Sequence, residues 1–292
     1  MRHMRRRWLV ITAGILFVIL ASTMLAAPAV RNALAASNRP QEYLALGDSV
    51  AFGYSPLLDH SNISNFIGYP NTAAAALKEN LTNASCPGET SSHFIDLSLS
   101  DNGCGPYRSV FPLHAAYSGT QLAFMDTFLQ SHPQTLVVSI NIGANDLFVL
   151  VRQCGGSTTP PEIACIEHGL PGMLATLSAN LDTIYGHIRN VDGYHHKLVG
   201  LTYYSLDYSD PVGTQITAAM NQVIAGRTLA WGGIVADGFG AFQAASAVFG
   251  GDTCAAGLRI VLLASPLTCD VHPTPAGRDL LGQAIVNALR LD

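Results

Sequence analysis

Three short segments of this 292-residue chain place a potential nucleophile, base or hydrogen-bond donor in turns next to apolar runs. They are Gly47-Asp48-Ser49-Val50, Gly143-Ala144-Asn145-Asp146-Leu147 and Asp270-Val271-His272-Pro273-Thr274. A serine hydroxyl is a weak nucleophile at neutral pH and needs a base such as imidazole to take its proton, and an asparagine amide can donate to a developing oxyanion. Ser49, His272 and Asn145 together therefore predict acyl-transfer chemistry.

The segments around these turns alternate between strand-like and helix-like patterns. Apolar runs predict strands at 43–46, 135–142 and 198–204, and the run at 135–142 is also rich in β-branched residues. A further short apolar run lies at 259–263. Helix-forming stretches predict helices at 72–81, 119–130, 173–190, 214–227 and 275–290. Segments 100–116 and 153–170 contain glycine, proline and cysteine and predict loops. Within the second, the stretch between Cys154 and Cys165 could form a rim or lid. The alternation indicates βαβ units and a sheet covered by helices on both faces, in which active sites form where strands end.

The three turns resemble sequence blocks of the SGNH (GDSL) hydrolase family. The Gly47-Asp48-Ser49 turn is similar to the family's nucleophile block, Gly143-x-Asn145-Asp146 to its asparagine block, and His272 before proline to its histidine block. Their order also agrees, and the resemblance covers the chain from about residue 41 onward. It implies one three-layer α/β/α domain with a five-stranded parallel sheet similar to flavodoxin. It also implies ester hydrolysis, with Ser49 as nucleophile and His272 as general base.

The oxyanion glycine of the resembled family has two candidates in this chain. Gly88 follows the first predicted helix and one short extended stretch, as in the family, and Gly119 precedes the next predicted helix. Gly88 is therefore favoured, and the resemblance implies an oxyanion hole of Gly88, the Ser49 backbone and the Asn145 side chain. Asp48 and Asp146 are expected to brace their loops.

The carboxylate behind the histidine departs from the family's pattern. That carboxylate ordinarily stands three residues before the histidine, where this chain has Cys269. Asp270 stands two residues before His272. Either Asp270 completes a triad or a backbone carbonyl orients the imidazole in a dyad, and both readings stay open at the level of the sequence.

The beginning of the chain resembles a secretory signal peptide. A basic start precedes an uncharged apolar run at 8–30, and Ala33 and Ala35 supply the small residues that favour cleavage. We therefore predict a leader at 1–35 and a secreted hydrolase domain at 36–292. An apolar run of this length could instead remain as a membrane anchor with the domain outside. No other segment predicts contact with a membrane.

The net charge of the predicted hydrolase domain indicates which kinds of partner it can bind. Five of the 15 Lys and Arg precede residue 36 and none of the 20 Asp and Glu does, which leaves 10 against 20 and a net charge near −10 on residues 36–292. Such a surface repels phosphate backbones, so a nucleic-acid partner is not expected. The sequence carries no signal for an oligomeric state.

An even number of cysteines in a chain predicted to be exported suggests disulfides. The six are Cys86, Cys104, Cys154, Cys165, Cys254 and Cys269. Sequential pairing is expected because it closes three short loops, and free buried thiols are the alternative. No cysteine pair has C-x-x-C spacing, no H-E-x-x-H occurs, and Gly238-Phe239-Gly240 lacks the third glycine of a dinucleotide-binding turn. We therefore expect no catalytic metal and no cofactor.

The resemblance also narrows the expected substrate. Exported, disulfide-containing members of the family with Cys-Pro-Gly-Glu-Thr and Tyr-Tyr segments are similar to lipases and esterases, which implies a small-molecule or lipid ester as the substrate. A carbohydrate O-acetylesterase would use the same residues and is the alternative enzyme. A non-catalytic binding module on the same fold is disfavoured, because the nucleophile, asparagine and histidine blocks are all intact.

Overall fold

The computed structural model describes residues 41–291 of the chain. The predicted leader at 1–35 and its boundary with the hydrolase domain lie outside these residues. Within 41–291, every helix is too short or too polar to cross a lipid bilayer.

The sheet contains five parallel strands in the order β2-β1-β3-β4-β5. They are β1 (Glu42–Gly47), β2 (Asn80–Asn83), β3 (Thr135–Asn141), β4 (Lys197–Leu201) and β5 (Ile234–Ala236). The central strands β1, β3 and β4 are almost wholly buried, as expected for a parallel sheet covered on both faces. The carboxyl ends of β1 and β3 pair at Gly47 and Asn141, so the turns after these strands begin side by side.

Nine α-helices accompany the strands within residues 41–291. They are α1 (Ser49–Phe52), α2 (Tyr69–Leu77), α3 (Cys104–Val110), α4 (Gln121–Ser131), α5 (Ala144–Gln153), α6 (Pro160–Gly186), α7 (Pro211–Ala230), α8 (Gly238–Ser246) and α9 (Pro275–Leu291). Helices α2 and α8 pack on α9, whereas α5 and α7 pack on α6. Both α7 and α9 contact β4 and β5. The helices flank the sheet as α/β/α layers, and the predicted fold class is confirmed.

A separate hairpin precedes the last helix. The apolar run at 259–263 lies in β6 (Arg259–Ala264), which pairs antiparallel with β7 (Leu267–Pro273) outside the main sheet. Strand β7 contacts α1 and then leads into α9. The hairpin thereby carries the histidine-containing turn to the helix that begins at Ser49.

Three predicted segments differ from the structure. The loop expected at 100–116 contains the short helix α3 (Cys104–Val110). The helix expected at 72–81 ends at Leu77 because Lys78 adopts a left-handed conformation (φ 62°), and the chain then forms β2. The loop expected at 153–170 is mostly the start of α6, where prolines occupy the first turn and Thr159 and Glu162 form a capping box. Proline interrupts a helix interior but favours a first turn, which the composition alone did not distinguish.

The cysteines pair in sequential order, as predicted. The three disulfides are Cys86–Cys104, Cys154–Cys165 and Cys254–Cys269. Each one closes a short loop, and no free cysteine occurs among the described residues. The disulfides link segments outside the sheet, next to the turns that the sequence analysis singled out.

Candidate active site

The turn after β1 requires glycine and presents a serine. Gly47 has φ 133°, and a Cβ there would lie 2.1 Å from the carbonyl oxygen of Asn141 on β3. Asp48 then caps α1, its Oδ1 accepting from the Val50 N–H at 2.9 Å. Ser49 is the first residue of α1 and is 9% exposed. The tight turn thus places the hydroxyl-bearing residue at the carboxyl edge of the sheet.

A buried glutamine holds this turn from behind. The amide of Gln121 accepts from the Gly47 N–H at 2.8 Å and donates to the Gly47 carbonyl at 2.9 Å. The same Nε2 donates to Glu89 Oε2 at 3.0 Å, and Glu89 also hydrogen-bonds His93. Gln121, Glu89 and His93 are all buried. Because Glu89 follows Gly88, this network fixes the candidate oxyanion glycine relative to the serine turn.

Asn145 is the second residue of α5 and lies buried beside Asp48. Its Nδ2 donates to Asp48 Oδ2 at 3.3 Å, and its Oδ1 accepts from Asn102 Nδ2 at 2.8 Å. Tyr203 donates its hydroxyl to the same Asp48 oxygen at 2.5 Å. The amide nitrogen of Asn145 carries a second hydrogen, which remains for a group bound in the site.

The orientation of the Asn145 amide follows from Arg152. A guanidinium can only donate, and Arg152 Nη1 donates to Asn102 Oδ1. Asn102 must therefore turn its Nδ2 towards Asn145, which in turn directs the Asn145 oxygen away from the site and its nitrogen towards it. A single donor-only side chain at the surface thus sets the direction of the whole chain of hydrogen bonds.

Burial changes the ionisation of Asp48. Desolvation raises its pKa to about 6, although hydrogen bonds from Tyr203 and the Val50 N–H act in the opposite direction. The expected bracing role of Asp48 corresponds here to contacts with its own helix, with Tyr203 and with Asn145. These contacts connect the nucleophile turn to the asparagine turn.

Gly88 lies at the site, and its backbone conformation also requires glycine. It has φ 84°, and a Cβ there would lie 2.7 Å from the Asn102 carbonyl oxygen. The loop after Gly88 is held by Asp146, whose Oδ2 accepts from the Ser91 N–H at 2.9 Å and whose Oδ1 accepts from the Ser91 hydroxyl. Gly119, the alternative glycine, instead accepts a hydrogen bond from Arg108. Only Gly88 of the two shares a cavity with Ser49.

Asp270 contacts the ring of His272. Residues two apart on a strand share a face, and both residues belong to β7. Asp270 Oδ1 accordingly hydrogen-bonds His272 Nδ1 and accepts from the His272 N–H at 3.0 Å. Burial of Asp270 disfavours its charge, but its interactions with His272 outweigh this and hold the pKa of Asp270 below its ordinary value. Tyr204 supports the strand by donating to the Val271 carbonyl at 2.6 Å.

Ser49, Asn145 and His272 line two adjoining cavities. One is apolar and measures about 90 Å³, with Leu147, Phe148, Leu206, Met220 and Val271 among its walls. The other is more open, measures about 260 Å³ and is lined by Gly88, Tyr54, Tyr107 and Asn102 as well. The candidate residues therefore stand between an apolar compartment and an open one.

A third cavity extends the apolar compartment. It measures about 280 Å³ and shares Leu147, Phe148, Leu206 and Thr217 with the smaller one. Ile163 and Ile166 on the first turns of α6 also line it. The 153–170 segment thus forms a rim, as the sequence suggested, although it does so as a helix.

Three polar residues of the site were missed by the sequence analysis. Asn102, Arg152 and Tyr203 touch Asn145 or Asp48 directly or through one partner. Arg152 and Asn102 lie far apart in sequence and carry no motif, so only the fold could bring them together. The Tyr203-Tyr204 pair, noted only as a family-like segment, was the one available signal.

Donor atoms close enough to hold a metal occur in one cluster within residues 41–291. It consists of Cys86, Glu89 and Cys104. The two sulfurs are joined in a disulfide, and Glu89 is already bonded to Gln121 and His93. Thiolate ligands are needed to bind a soft metal, so this cluster does not fit one.

The chain was compared with curated protein sequences and with solved structures. No curated protein sequence matches the chain. Among solved structures, an extracellular lipase from Streptomyces rimosus matches with a TM-score of 0.56 and 21% identity, over 85% of this chain and 99% of that one. A phospholipase A1 from Streptomyces albidoflavus gives 0.57 and 21%, over 86% and 100%. An acetylxylan esterase from Geobacillus stearothermophilus gives 0.50 and 13%, over 85% and 94%.

The sequence profile of one family covers most of the chain. The profile of the GDSL-like lipase/acylhydrolase family matches residues 45–280, a span that includes the serine, asparagine and histidine turns. The structural neighbours share the α/β/α fold of this family. The chain therefore belongs to the GDSL-like lipase/acylhydrolase family and is a carboxylic ester hydrolase.

Proposed function

We propose that the chain is a secreted esterase or lipase that hydrolyses acyl esters through an acyl-enzyme on Ser49. The observation that carries this proposal is the common cavity that Ser49, Asn145 and His272 line, with Asp270 on the far side of the imidazole. These are the four parts that acyl transfer needs: a nucleophile, a base, an orienting carboxylate and an oxyanion donor.

Acylation begins when the Ser49 hydroxyl attacks the ester carbonyl. His272 Nε2 takes the hydroxyl proton, since its Nδ1 is bonded to Asp270. The carbonyl oxygen gains negative charge and is held by the N–H groups of Ser49 and Gly88 and by the second hydrogen of Asn145 Nδ2. Collapse of this intermediate breaks the bond to the leaving alcohol, which takes its proton from His272. The acid component remains esterified to Ser49.

Deacylation repeats the sequence with water. His272 takes a proton from the water, whose oxygen attacks the acyl carbon, and the same donors hold the second oxyanion. The intermediate then collapses with cleavage of the bond between the acyl carbon and Ser49 Oγ, which releases the carboxylic acid, and His272 returns the proton to Ser49 Oγ. Asp270 stabilises the imidazolium in both halves and keeps the ring in the tautomer that presents Nε2 to the serine.

The residues that line the cavities favour a substrate with an apolar acyl group. The compartment beside Ser49 shares Phe148 and Leu206 with the adjoining third cavity, whose walls are mostly apolar. This arrangement gives a substituent longer than acetyl a direction in which to lie. The open compartment, with Gly88 and Asn102, suits the alcohol part of the ester. We therefore propose a lipid or other medium- to long-chain acyl ester as the substrate.

A carbohydrate O-acetylesterase is the second candidate. Tyr54 and Tyr107 line the open compartment, and aromatic rings can stack on sugar faces. Tyr54 also packs on His272 with ring centroids 4.8 Å apart. An acetyl group would, however, leave the second apolar cavity unused, and we place this function second.

An acyl-chain series separates these two functions and tests the role of Leu206. We expect kcat/KM for p-nitrophenyl esters to rise from acetate to octanoate. In Leu206→Trp the larger ring narrows the passage between the two apolar cavities, and the octanoate-to-acetate ratio is expected to fall by about tenfold or more. Leu229→Trp, which changes an exposed leucine at the end of α7, is the matched control. A preference for acetate in the wild type would favour the O-acetylesterase instead.

Arg152 is expected to act as a positioning residue through Asn102. In Arg152→Ala the side-chain amides of Asn102 and Asn145 can flip by 180°. We therefore expect kcat to fall about three- to tenfold while KM changes little. Arg152→Lys should recover most of kcat, because lysine also only donates. Steady-state kinetics of both variants, with Arg290→Ala as an exposed control, make the comparison. Equal losses in the alanine and lysine variants would contradict this role.

Export rests on the sequence of the leader and on the three disulfides, which persist in oxidising compartments. N-terminal sequencing of the protein from culture medium should begin at Ala36, the residue after the predicted cleavage position at Ala35. Recovery of the whole chain only in the membrane fraction would favour the uncleaved anchor.

A further inference from the structure

The hairpin β6–β7 exposes a contiguous group of apolar side chains at its tip. Their exposed fractions are 41% for Val261, 45% for Leu262, 58% for Leu263 and 47% for Leu267. None of the residues at 260–269 is charged. Single exposed leucines are ordinary on a protein surface, but a contiguous and uncharged group indicates a surface that binds something apolar.

The tip is apolar on both faces of the ribbon. Neighbouring residues on a strand point to opposite faces, and Val261, Leu262 and Leu263 follow one another in β6. A groove on a folded protein would cover one face of the ribbon and leave the other in water. A fluid apolar medium can cover both faces at once. The arrangement therefore favours a lipid surface over a protein partner.

The hairpin is continuous with the candidate active site. Strand β7 begins with Leu267 at the tip and contains Asp270 and His272. At about 3.3 Å per residue, the distance along the strand from Leu267 to His272 is about 16 Å. Segments that lie in a lipid interface enter it by about 5–10 Å. Immersion of the tip would therefore hold the catalytic end of β7 close to the surface without burying it.

The charge of the domain selects the kind of lipid. Residues 36–292 carry a net charge near −10, from 10 basic and 20 acidic side chains. Anionic lipid headgroups would repel such a domain, and the hairpin tip offers no Lys or Arg to offset the repulsion. A surface of zwitterionic or uncharged lipid carries no such penalty.

We propose that the tip of the hairpin, residues 261–267, is a docking element that inserts into an electrically neutral lipid surface and presents the active site to it. The sequence alone predicts contact with a membrane only through the leader, so this surface is an addition to that expectation. The proposal extends the proposed esterase function but does not depend on it, since binding to lipid can be measured on a variant that does not hydrolyse esters.

The test uses the Ser49→Ala protein and vesicles of phosphatidylcholine. We expect it to sediment with the vesicles, and a further Leu263→Asp change to weaken this binding by at least about tenfold, because a carboxylate at the tip must be desolvated on insertion. Leu229→Asp is the matched control: Leu229 is 62% exposed at the end of α7, and its change should leave binding unaltered. Hydrolysis of a soluble ester by the single Leu263→Asp variant reports that the fold is intact.

A second readout covers the case in which Leu263→Asp does not fold. A tryptophan in Leu263→Trp should shift its fluorescence to shorter wavelength when phosphatidylcholine vesicles are added, and Leu229→Trp should not. Absence of vesicle binding, or equal binding by the Leu263→Asp and Leu229→Asp proteins, would overturn the proposal. Binding only to vesicles rich in phosphatidylglycerol would also overturn it. The same holds if the protein does not bind lipid and instead forms a dimer that Leu263→Asp dissociates.

Discussion

Replacing Ser49 with alanine is expected to lower kcat/KM for a short-chain p-nitrophenyl ester by at least about 10⁴-fold. The change removes the only atom that forms the acyl bond, whereas the backbone N–H and the Asp48 cap of α1 remain in place. The residual rate should reflect oxyanion stabilisation alone. Because the alanine side chain is smaller and is also compatible with a helix, the midpoint of thermal unfolding should change by no more than a few degrees.

Two measurements make this expectation specific to Ser49. A fluorophosphonate probe should add its mass to the peptide that contains Ser49 in the wild type and to no peptide in Ser49→Ala. Ser98→Ala, at an exposed loop serine, should keep both the labelling and the rate. Turnover by a well-folded Ser49→Ala protein would exclude Ser49 as the nucleophile.

Replacing Asp270 with asparagine is expected to reduce kcat by about 10²- to 10⁴-fold. The asparagine amide would present a nitrogen or a neutral oxygen to His272 Nδ1, which allows the wrong tautomer and removes the charge that stabilises the imidazolium. KM should change much less than kcat, since the Asp270 side chain contacts the ring rather than the cavity. An unchanged kcat would mean that a backbone carbonyl orients the histidine.

The same variant has a predicted effect on stability. The pKa of Asp270 is lower in the folded protein than its ordinary value of 3.8. Its contribution to the free energy of unfolding is therefore present above that ordinary value and is lost as the pH falls towards the lower, folded value. Asp270→Asn should lack this part of the acid dependence in urea unfolding, whereas Glu167→Gln, at an exposed position of α6, should keep it.

The candidate catalytic residues could be found in the sequence because they stand in short motifs next to apolar segments. Ser49 and Asn145 follow strands whose apolar pattern is visible, and neighbouring parallel strands bring such ends together. His272 was found by its motif before the last helix and not by the pattern of β7. The sheet order and the placement of β2 and β5 could not be read in the same way, since both are short strands with little apolar pattern.

The carboxylate behind the histidine shows where motif spacing fails. The family's spacing pointed to position 269, which is a disulfide cysteine here. Asp270 reaches the imidazole because the segment is a strand, in which residues two apart share a face. Residue types can be read from the sequence but this local conformation cannot, so the contact between Asp270 and His272 became visible only in the structure.

The supports of Asn145 were invisible to sequence for another reason. Arg152 and Asn102 act on it through side-chain hydrogen bonds that join α5 to the loop before α3. Such pairs are set by the packing of segments that are distant along the chain. The role of such a pair can be recognised only once the structure shows the two segments in contact.

The three disulfides all lie beside the catalytic machinery rather than in the sheet. One brackets Gly88 and Asn102, one joins the end of α5 to α6, and one holds β7 next to Asp270. Hydrophobic burial holds the sheet, whereas the loops that carry the candidate catalytic groups are held by hydrogen bonds and, in addition, by disulfides that form only when the thiols oxidise. If the chain is exported as proposed, full activity would then arise late in maturation, in an oxidising compartment, and esters in the interior of the producing cell would be spared.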